Sequence, residues 1–389
     1  MNNYDIAIIG AGKTGRGFIG RLLQEDGRSF LIVDKNVELT ERLKNAAEFK
    51  IEFFGDVREP MRVKDFTVMH TSSKTVNELL KEMKLIFVSV GGSNLIEVGS
   101  WLAQVFEKRL KESTLECSFI TCENANKPAD RLKEAFLTIL SDECRTKAEK
   151  LYGFSEATVF CTTIEAKDDP INIMSENYPR LQCDALTLKG NLPEIKGLQP
   201  VKDFENFLMR KLFTYNAASA AISYLGWFKG YKIYSDAAND EDILKILNDL
   251  YEEVGEALCK VYGYTEEDQR KFAGLSLKKF CDRNISDTIE RNAREPQRKL
   301  AFNDRIIGPA KLIQECGGDS TPLEITAAAV LLYKNPSDIE WEQLKNELKP
   351  EGILKEICRL DLNESLTRQI LKFYHTMKDK GSWNYLLIR

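Results

Sequence analysis

Histidine is nearly missing: among 389 residues only His70 and His375 occur. A zinc site built on imidazoles, or hydride transfer around a histidine base, has almost nothing to draw on, and no metal is expected. The nine cysteines are an odd number, none is spaced C-x-x-C, and Cys117 and Cys122 are the closest pair. No disulfide framework fits that spacing, which predicts inert buried thiols in a reduced, cytoplasmic protein. Long apolar runs are lacking too. Residues 326–333 (TAAAVLLY) are among the longest, far short of the ~20 a membrane span needs. Asp5 precedes the short run 6–9 and no Lys or Arg stands before it, so a signal peptide is not expected. Neither sign of charge dominates, with 55 basic against 60 acidic side chains and a net of −5. Nothing polybasic points to nucleic acid or an anionic membrane.

What is present is the balance of an ordinary globular enzyme, 43% hydrophobic and 30% charged. At roughly 150 residues per domain the length suggests two or three domains. Up to about residue 160, short β-branched runs alternate with amphipathic stretches. The runs 5–9 (DIAII), 30–33 (FLIV), 85–90 (LIFVSV) and 118–121 (SFIT) read as buried parallel strands. Helix-length segments at 14–25 and 93–110 lie between them, which predicts a doubly wound sheet. Four of the eleven prolines fall in 170–200 (Pro170, Pro179, Pro193, Pro200), marking a connection between domains with room for a few short strands. Beyond it the pattern is helical. Segment 239–262 opens with Asn and acidic residues and then repeats apolar positions at three and four; 321–333 and 364–377 are similar. No internal repeat occurs. The expected fold is α/β, a Rossmann-like doubly wound sheet over 1–195 followed by a mainly α-helical domain over 196–389.

The first motif is Gly10-Ala11-Gly12-Lys13-Thr14-Gly15, with Gly17 just beyond. Glycines at these spacings also arise in plain turns, but this set follows a strand ending at Ile9 and opens a helix. In that context the first glycine turns the chain, the second lets backbone approach a pyrophosphate, and the third packs helix on strand. The helix start then offers free N–H groups to the phosphate. Asp34 stands 19 residues after Gly15 at the end of the second strand. A carboxylate there accepts from both ribose hydroxyls and repels a 2′-phosphate, so NAD is the expected cofactor. Lys35 next door weakens that preference slightly. Val90, Gly91 and Asn94, after a later strand, suit the same crevice, although a plain loop with a helix cap at Ser93 or Asn94 is the bland alternative.

An alcohol losing hydride needs a base for its proton and donors for the developing alkoxide. With histidine scarce, the base should be Lys, Tyr or a carboxylate. The pair Tyr374 and Lys378 has the Tyr-x-x-x-Lys spacing of short-chain dehydrogenases but lies far from the Rossmann half, as a surface-helix coincidence would. A better candidate is Lys211 in a segment running through Asn216 and Ser219 to Gly226 that is otherwise apolar. On an α-helix Asn216 would lie about 140° round from Lys211, with Ser219 between at about 80°. These residues could line one cavity but not one narrow stripe. Such a lysine either snorkels to solvent or sits in a cleft with a lowered pKa.

These motifs carry a resemblance. The stretch 10–20 (GAGKTGRGFIG) is similar to the opening of the mannitol-1-phosphate 5-dehydrogenases, in the mannitol dehydrogenase family of polyol-specific long-chain dehydrogenases. The likeness continues through 121–125 (TCENA), 193–197 (PEIKG), 210–214 (RKLFT) with Asn216, 224–226 (YLG), 298–300 (RKL) and 303–305 (NDR), over essentially the whole chain. It implies a Rossmann domain, a helical C-terminal domain and a metal-free site in the cleft between them. It also implies Lys211 as general base, with Asn124 and Asn216 bonding the reacting oxygen. Arg291 and Lys299 would reach substrate, and Glu123 beside Asn124 would join Ile9 and the glycine turn at the cofactor. A desolvated lysine beside a positive nicotinamide ring would titrate near 7–8 rather than ~10.4. Two departures stand out. The family's histidine three residues after the asparagine is Ser219 here, a shorter donor that cannot become cationic. The acidic–aromatic segment before the interdomain Lys-Gly is altered, reading SENYPR over 175–180.

Segment 291–305 holds Arg291, Arg294, Arg298, Lys299 and Arg305 against only Glu295 and Asp304. Guanidinium forks suit phosphate or carboxylate. The expectation is an NAD-dependent oxidoreductase interconverting a sugar alcohol, phosphorylated like mannitol 1-phosphate, with its ketose, fructose 6-phosphate-like. A hexuronate reductase of the same superfamily and a nucleotide-binding protein without turnover are the alternatives. The partner expected is a small sugar or sugar phosphate, with no nucleic acid and no membrane; no residue pattern marks an oligomeric state.

Overall fold

The computed structural model describes residues 4–285 and 287–384. The chain divides into two compact units, Met1–Phe204 and Glu205–Arg389.

The first unit is built on an eight-stranded sheet, in the order Leu198–Val201, Leu181–Asp184, Tyr152–Thr158, Cys117–Thr121, Leu85–Val88, Ile6–Ile9, Phe30–Asp34, Phe66–His70. Every residue of Ile6–Ile9 is buried, as expected of a central strand covered on both faces. It pairs in parallel with Phe30–Asp34 on one side and Leu85–Val88 on the other. The chain therefore reverses direction across the sheet at Ile6–Ile9, and the crevice at the carboxyl ends of these strands is the switch point where ligands bind in such folds. The strands expected near 5–9, 30–33, 85–90 and 118–121 are all present. Within the proline-rich stretch, Leu181–Asp184 runs antiparallel to Tyr152–Thr158 and carries Leu198–Val201 beside it. Pro200 sits on that edge strand, where a missing N–H removes no bond from the sheet's interior. This last strand ties the connection to the first unit.

A second sheet of four strands, Met61–Val63, Phe49–Phe53, Ile173–Ser175 and Thr163–Glu165, lies in the same unit. The helix expected over 14–25 is not a plain α-helix. It opens as a π-helical turn, Gly15–Gly20, and continues as Arg21–Glu25. The small sheet crowds that turn: a Cβ on Gly17 would lie 2.3 Å from Ile173 Cγ2. Arg16 and Arg21 are fully buried here. Arg16 donates to the carbonyls of Ile171 at 2.7 Å and Pro170 at 3.2 Å, and Arg21 to those of Glu176 at 2.8 Å and Tyr178.

The second unit is helical. Glu241–Tyr262 starts where Asp240 accepts from the N–H groups of Asp242 and Ile243, and ends at Gly263 with φ 73°, a cap that only glycine adopts readily. Ala217–Phe228, Thr321–Leu332 and Ser365–Lys380 contribute to the same apolar core. Gly226 is needed for close approach, because a Cβ there would lie 2.7 Å from Ala237 and 2.8 Å from Ile289. The architecture is the Rossmann-type sheet followed by a helical domain expected from sequence. Among the described residues no helix is long and apolar enough to cross a membrane. All nine cysteines are free thiols.

Candidate active site

The glycine turn leaves Ile9 through Gly10, whose φ of 103° puts it in the left-handed region, and a Cβ there would meet the Ser89 carbonyl oxygen at 2.0 Å. Gly15 is equally constrained, with the Gly10 oxygen 2.0 Å from its would-be Cβ. Gly12 is different: open space surrounds its would-be Cβ, and Gly12 and Lys13 are exposed with Thr14 half-buried. First-turn N–H groups have no carbonyl behind them in the helix, so the crest over 12–14 is free backbone suited to a pyrophosphate. Asp34 anchors the turn, accepting from Ala11 N–H at 2.6 Å through one oxygen and from Asn36 N–H at 2.7 Å through the other. Each oxygen retains a lone pair for a ribose hydroxyl. Lys35 is drawn aside, with Nζ 2.9 Å from Glu97 and 3.1 Å from Asn94 Oδ1, so its charge does little to attract a 2′-phosphate.

The loop after Leu85–Val88 is held from two directions. Glu123 accepts from Val90 N–H at 2.6 Å and Gly91 N–H at 2.7 Å, while Asn94 Nδ2 donates to the Val90 carbonyl at 2.7 Å. Burial pushes the Glu123 carboxyl above its ordinary value, against the opposing pull of these two N–H groups. Gly91 has φ 84°. The structure thus brings Ile9, the glycine turn, Asp34, Val90, Gly91, Asn94 and Glu123 to the carboxyl end of one sheet. Asn124 follows Glu123 and is exposed. These residues fit a dinucleotide: an open turn, a helix start and a strand-end carboxylate.

In the helical unit, Lys211–Asn216 is again a π-helical turn, closed by the Ala217 N–H bonding the Leu212 carbonyl, and it runs into Ala217–Phe228. The α-helical angles expected for this segment therefore do not apply. A bond spanning five residues brings positions five apart toward one face. Lys211, Leu212, Tyr215, Asn216 and Ser219 are the partly accessible residues from 211 to 226, and all others there are buried. Lys211, Asn216 and Ser219 are thus the polar members of one short set of accessible positions, beside Leu212 and Tyr215. The turn is braced from behind: Arg210 bonds Gln269 Oε1 at 2.8 Å, Gln269 bonds Thr214 Oγ1 at 2.9 Å, and the guanidinium lies 4.4 Å from the ring centres of both Tyr264 and Phe272. Ser219 Oγ accepts from the Tyr234 hydroxyl at 3.0 Å.

The basic segment is less uniform than its sequence. Arg291, Arg294 and Arg298 are exposed. Arg291 pairs with Asp287 at 2.9 Å and Arg298 with Glu295 at 2.7 Å, while Arg294 Nε donates to the Arg291 carbonyl. Lys299 is only 6% exposed. Its ammonium donates to the Asn292 carbonyl and lies 5.6 Å from the ring centre of Tyr224, on the helix that carries Ser219. Burial first, then Arg305 and Arg298, pulls Lys299 down to about 7. Among the described residues no three or more His, Cys, Asp or Glu side chains gather as metal ligands. Sequence reasoning missed Arg16, Arg21, Glu97 and Tyr234. Only the GRGFIG string signalled the first two.

Fold and turn define a dinucleotide-binding protein of the Rossmann type. Residues 5–197 match the mannitol dehydrogenase Rossmann domain and residues 203–372 the mannitol dehydrogenase C-terminal domain. The chain belongs to the mannitol dehydrogenase family. It is 31% identical to mannitol-1-phosphate 5-dehydrogenase of Geobacillus stearothermophilus over 97% of this chain and 98% of the relative, and 30% identical to that of Thermoanaerobacter pseudethanolicus over 95% and 97%. Among solved structures, the fold is similar to Pseudomonas fluorescens mannitol 2-dehydrogenase in ternary complex with NAD and D-mannitol. That match has a TM-score of 0.75 at 16% identity and covers 99% of this chain and 94% of that one. A substrate-free D-sorbitol dehydrogenase matches with a TM-score of 0.78 at 15% identity, covering 97% and 93%.

Proposed function

We propose that this polyol dehydrogenase interconverts a phosphorylated sugar alcohol, like mannitol 1-phosphate, with its ketose, by metal-independent hydride transfer with Lys211 as base. Membership of the family makes it an NAD-dependent oxidoreductase. NAD, when bound, supplies the hydride acceptor for the alcohol carbon and, reduced, the donor for the ketose. Gly12, Lys13 and Thr14 would hold its pyrophosphate and Asp34 its ribose, with Val90, Gly91 and Asn94 lining the crevice.

In the oxidation direction Lys211 Nζ, neutral, takes the proton of the reacting hydroxyl. Asn216, in the same unit, donates to that oxygen as negative charge develops, a contribution of the oxyanion-hole kind, and the family resemblance implies Asn124 as a second donor. In reduction Lys211 returns the proton. Arg291, Arg294 and Arg298 supply the guanidinium forks for the substrate's anionic group. Each is exposed, and the two ion pairs they make are surface pairs that a phosphate can replace at little cost. The observation that carries this reading is the accessible polar set of Lys211, Asn216 and Ser219 on a largely buried helix.

The test is NADH oxidation with fructose 6-phosphate, fructose, fructuronate and tagaturonate. Fructose 6-phosphate should be the best substrate. Lys211→Ala should cut kcat about 10²–10⁴-fold, the usual contribution of a general base, while NADH affinity by fluorescence titration stays nearly unchanged. Preference for a uronate would move the assignment to a hexuronate reductase. Absence of turnover with all four would leave a nucleotide-binding protein. Lys211→Ala retaining more than about a tenth of kcat, where a base is worth at least 10²-fold, would place the base elsewhere.

A further inference from the structure

Ser219 is held by a buried side chain. Tyr234 donates its hydroxyl proton to Ser219 Oγ at 3.0 Å. A hydroxyl has one hydrogen and two lone pairs. With one lone pair taken by the phenol, Ser219 keeps its own hydrogen and a second lone pair, and it is partly accessible, as Lys211 and Asn216 are. Tyr234 is not free to turn away. It is 6% exposed and packs edge-on against Phe280, with ring centres 5.8 Å apart at 73°. Its backbone is clipped as well: its N–H bonds the Asp287 carbonyl at 3.0 Å, Ile289 N–H bonds the Lys232 carbonyl at 3.0 Å, and Ile233 bridges Thr288. That clip immediately precedes the short helix Ile289–Asn292, which carries Arg291. A buried phenol therefore joins Ser219 to the start of the basic segment.

We propose that Tyr234 is a positioning residue that holds the Ser219 hydroxyl in place for a hydrogen bond to an oxygen of the substrate. The inference rests on the reading of Lys211 and Asn216 as the reacting groups. The Tyr234–Ser219 pair offers one hydrogen and one lone pair from an oxygen held in place, and it stays neutral through the physiological range. It selects for a substrate hydroxyl or carbonyl oxygen at this point, and it does so through residues of one unit.

The experiment is a double-mutant cycle with Tyr234→Phe, Ser219→Ala and the pair, using fructose 6-phosphate. KM is read in steady state, and ketose affinity is read by calorimetry with the NADH complex, so that binding is seen apart from turnover. Phe keeps the ring and its packing. Each single variant should raise KM and the ketose Kd about 2–10-fold, the worth of one neutral hydrogen bond, with a smaller fall in kcat. The pair should be no worse than Ser219→Ala alone, since the two side chains act as one device. Ser219→Thr keeps the hydroxyl and should retain most of the affinity. Additive effects, or Tyr234→Phe altering kcat and KM equally, would make Tyr234 a packing residue and overturn the inference while leaving the polyol reading intact. Failure of the unmutated protein to bind or reduce any ketose would overturn both.

Discussion

Asp34 accepts two backbone N–H bonds, so it organises the glycine turn as well as carrying the proposed contact to the ribose. Asp34→Ala should weaken NADH and narrow its margin over NADPH. Glu97→Ala, which releases Lys35, should narrow that margin from the other side by helping NADPH. Nicotinamide fluorescence titrations of both variants check this, and NADPH binding the unmutated protein as tightly as NADH would contradict it. Lys299 behaves unlike the surface cation its sequence context suggests. Folded, it loses its proton near 7, whereas in the unfolded chain it keeps it to ~10.4. Below 7 both states are protonated and the fold bears the cost of a buried cation. Between 7 and ~10.4 only the unfolded state binds the proton, so this group raises stability with pH, by at most ~1.4 kcal/mol per unit. Urea unfolding of Lys299→Met beside the unmutated protein should therefore show the unmutated chain gaining relative stability from pH 7 to 9. A difference flat across that range would mean that Lys299 keeps its proton in the fold.

Two of the helices that carry residues of the proposed site begin or continue through π-helical turns, Gly15–Gly20 and Lys211–Asn216. Hydrophobic period alone marks a helix at each place but does not distinguish a bond spanning four residues from one spanning five. Apolar runs and the Asp240 cap made the plain helices readable, because their signals lie within a few adjacent residues. The π turn at Gly15–Gly20 is locked by its neighbours, with Arg16 and Arg21 bonded to carbonyls far along the chain and Gly17 against Ile173. Gly17→Ala should force turn and small sheet apart at a cost of about 1–3 kcal/mol, as overpacking does. Thermal unfolding should show the loss, and adding Ile173→Ala, which removes the clashing Cγ2, should recover part of it. No recovery would mean that the strain is in the backbone of the turn.

Each unit has an apolar core of its own, two faces of a sheet in the first and a helical cluster in the second. The residues assigned to NAD, Ile9 to Gly15, Asp34, Val90, Gly91, Asn94 and Glu123, all belong to the first. A fragment of residues 1–204 should therefore fold, by far-UV circular dichroism, and bind NADH within about tenfold of the whole chain, a difference of ~1.4 kcal/mol, while catalysing nothing. An unfolded fragment would show that the first core depends on the second. What the sequence alone determined was whatever its chemistry writes into neighbouring residues. The glycine turn after a buried strand, the strand-end Asp34, the βαβ rhythm giving way to helices, and a lysine alone in an apolar segment are of this kind. Only the tertiary structure decided that Ile173–Ser175 pairs with Phe49–Phe53 in a second sheet, that Arg16 and Arg21 turn inward, that Lys299 is buried, and that Tyr234 holds Ser219. Those pairings join segments distant in sequence. Each is chosen by how the whole chain satisfies its buried polar groups and fills its interior, and no local pattern records that.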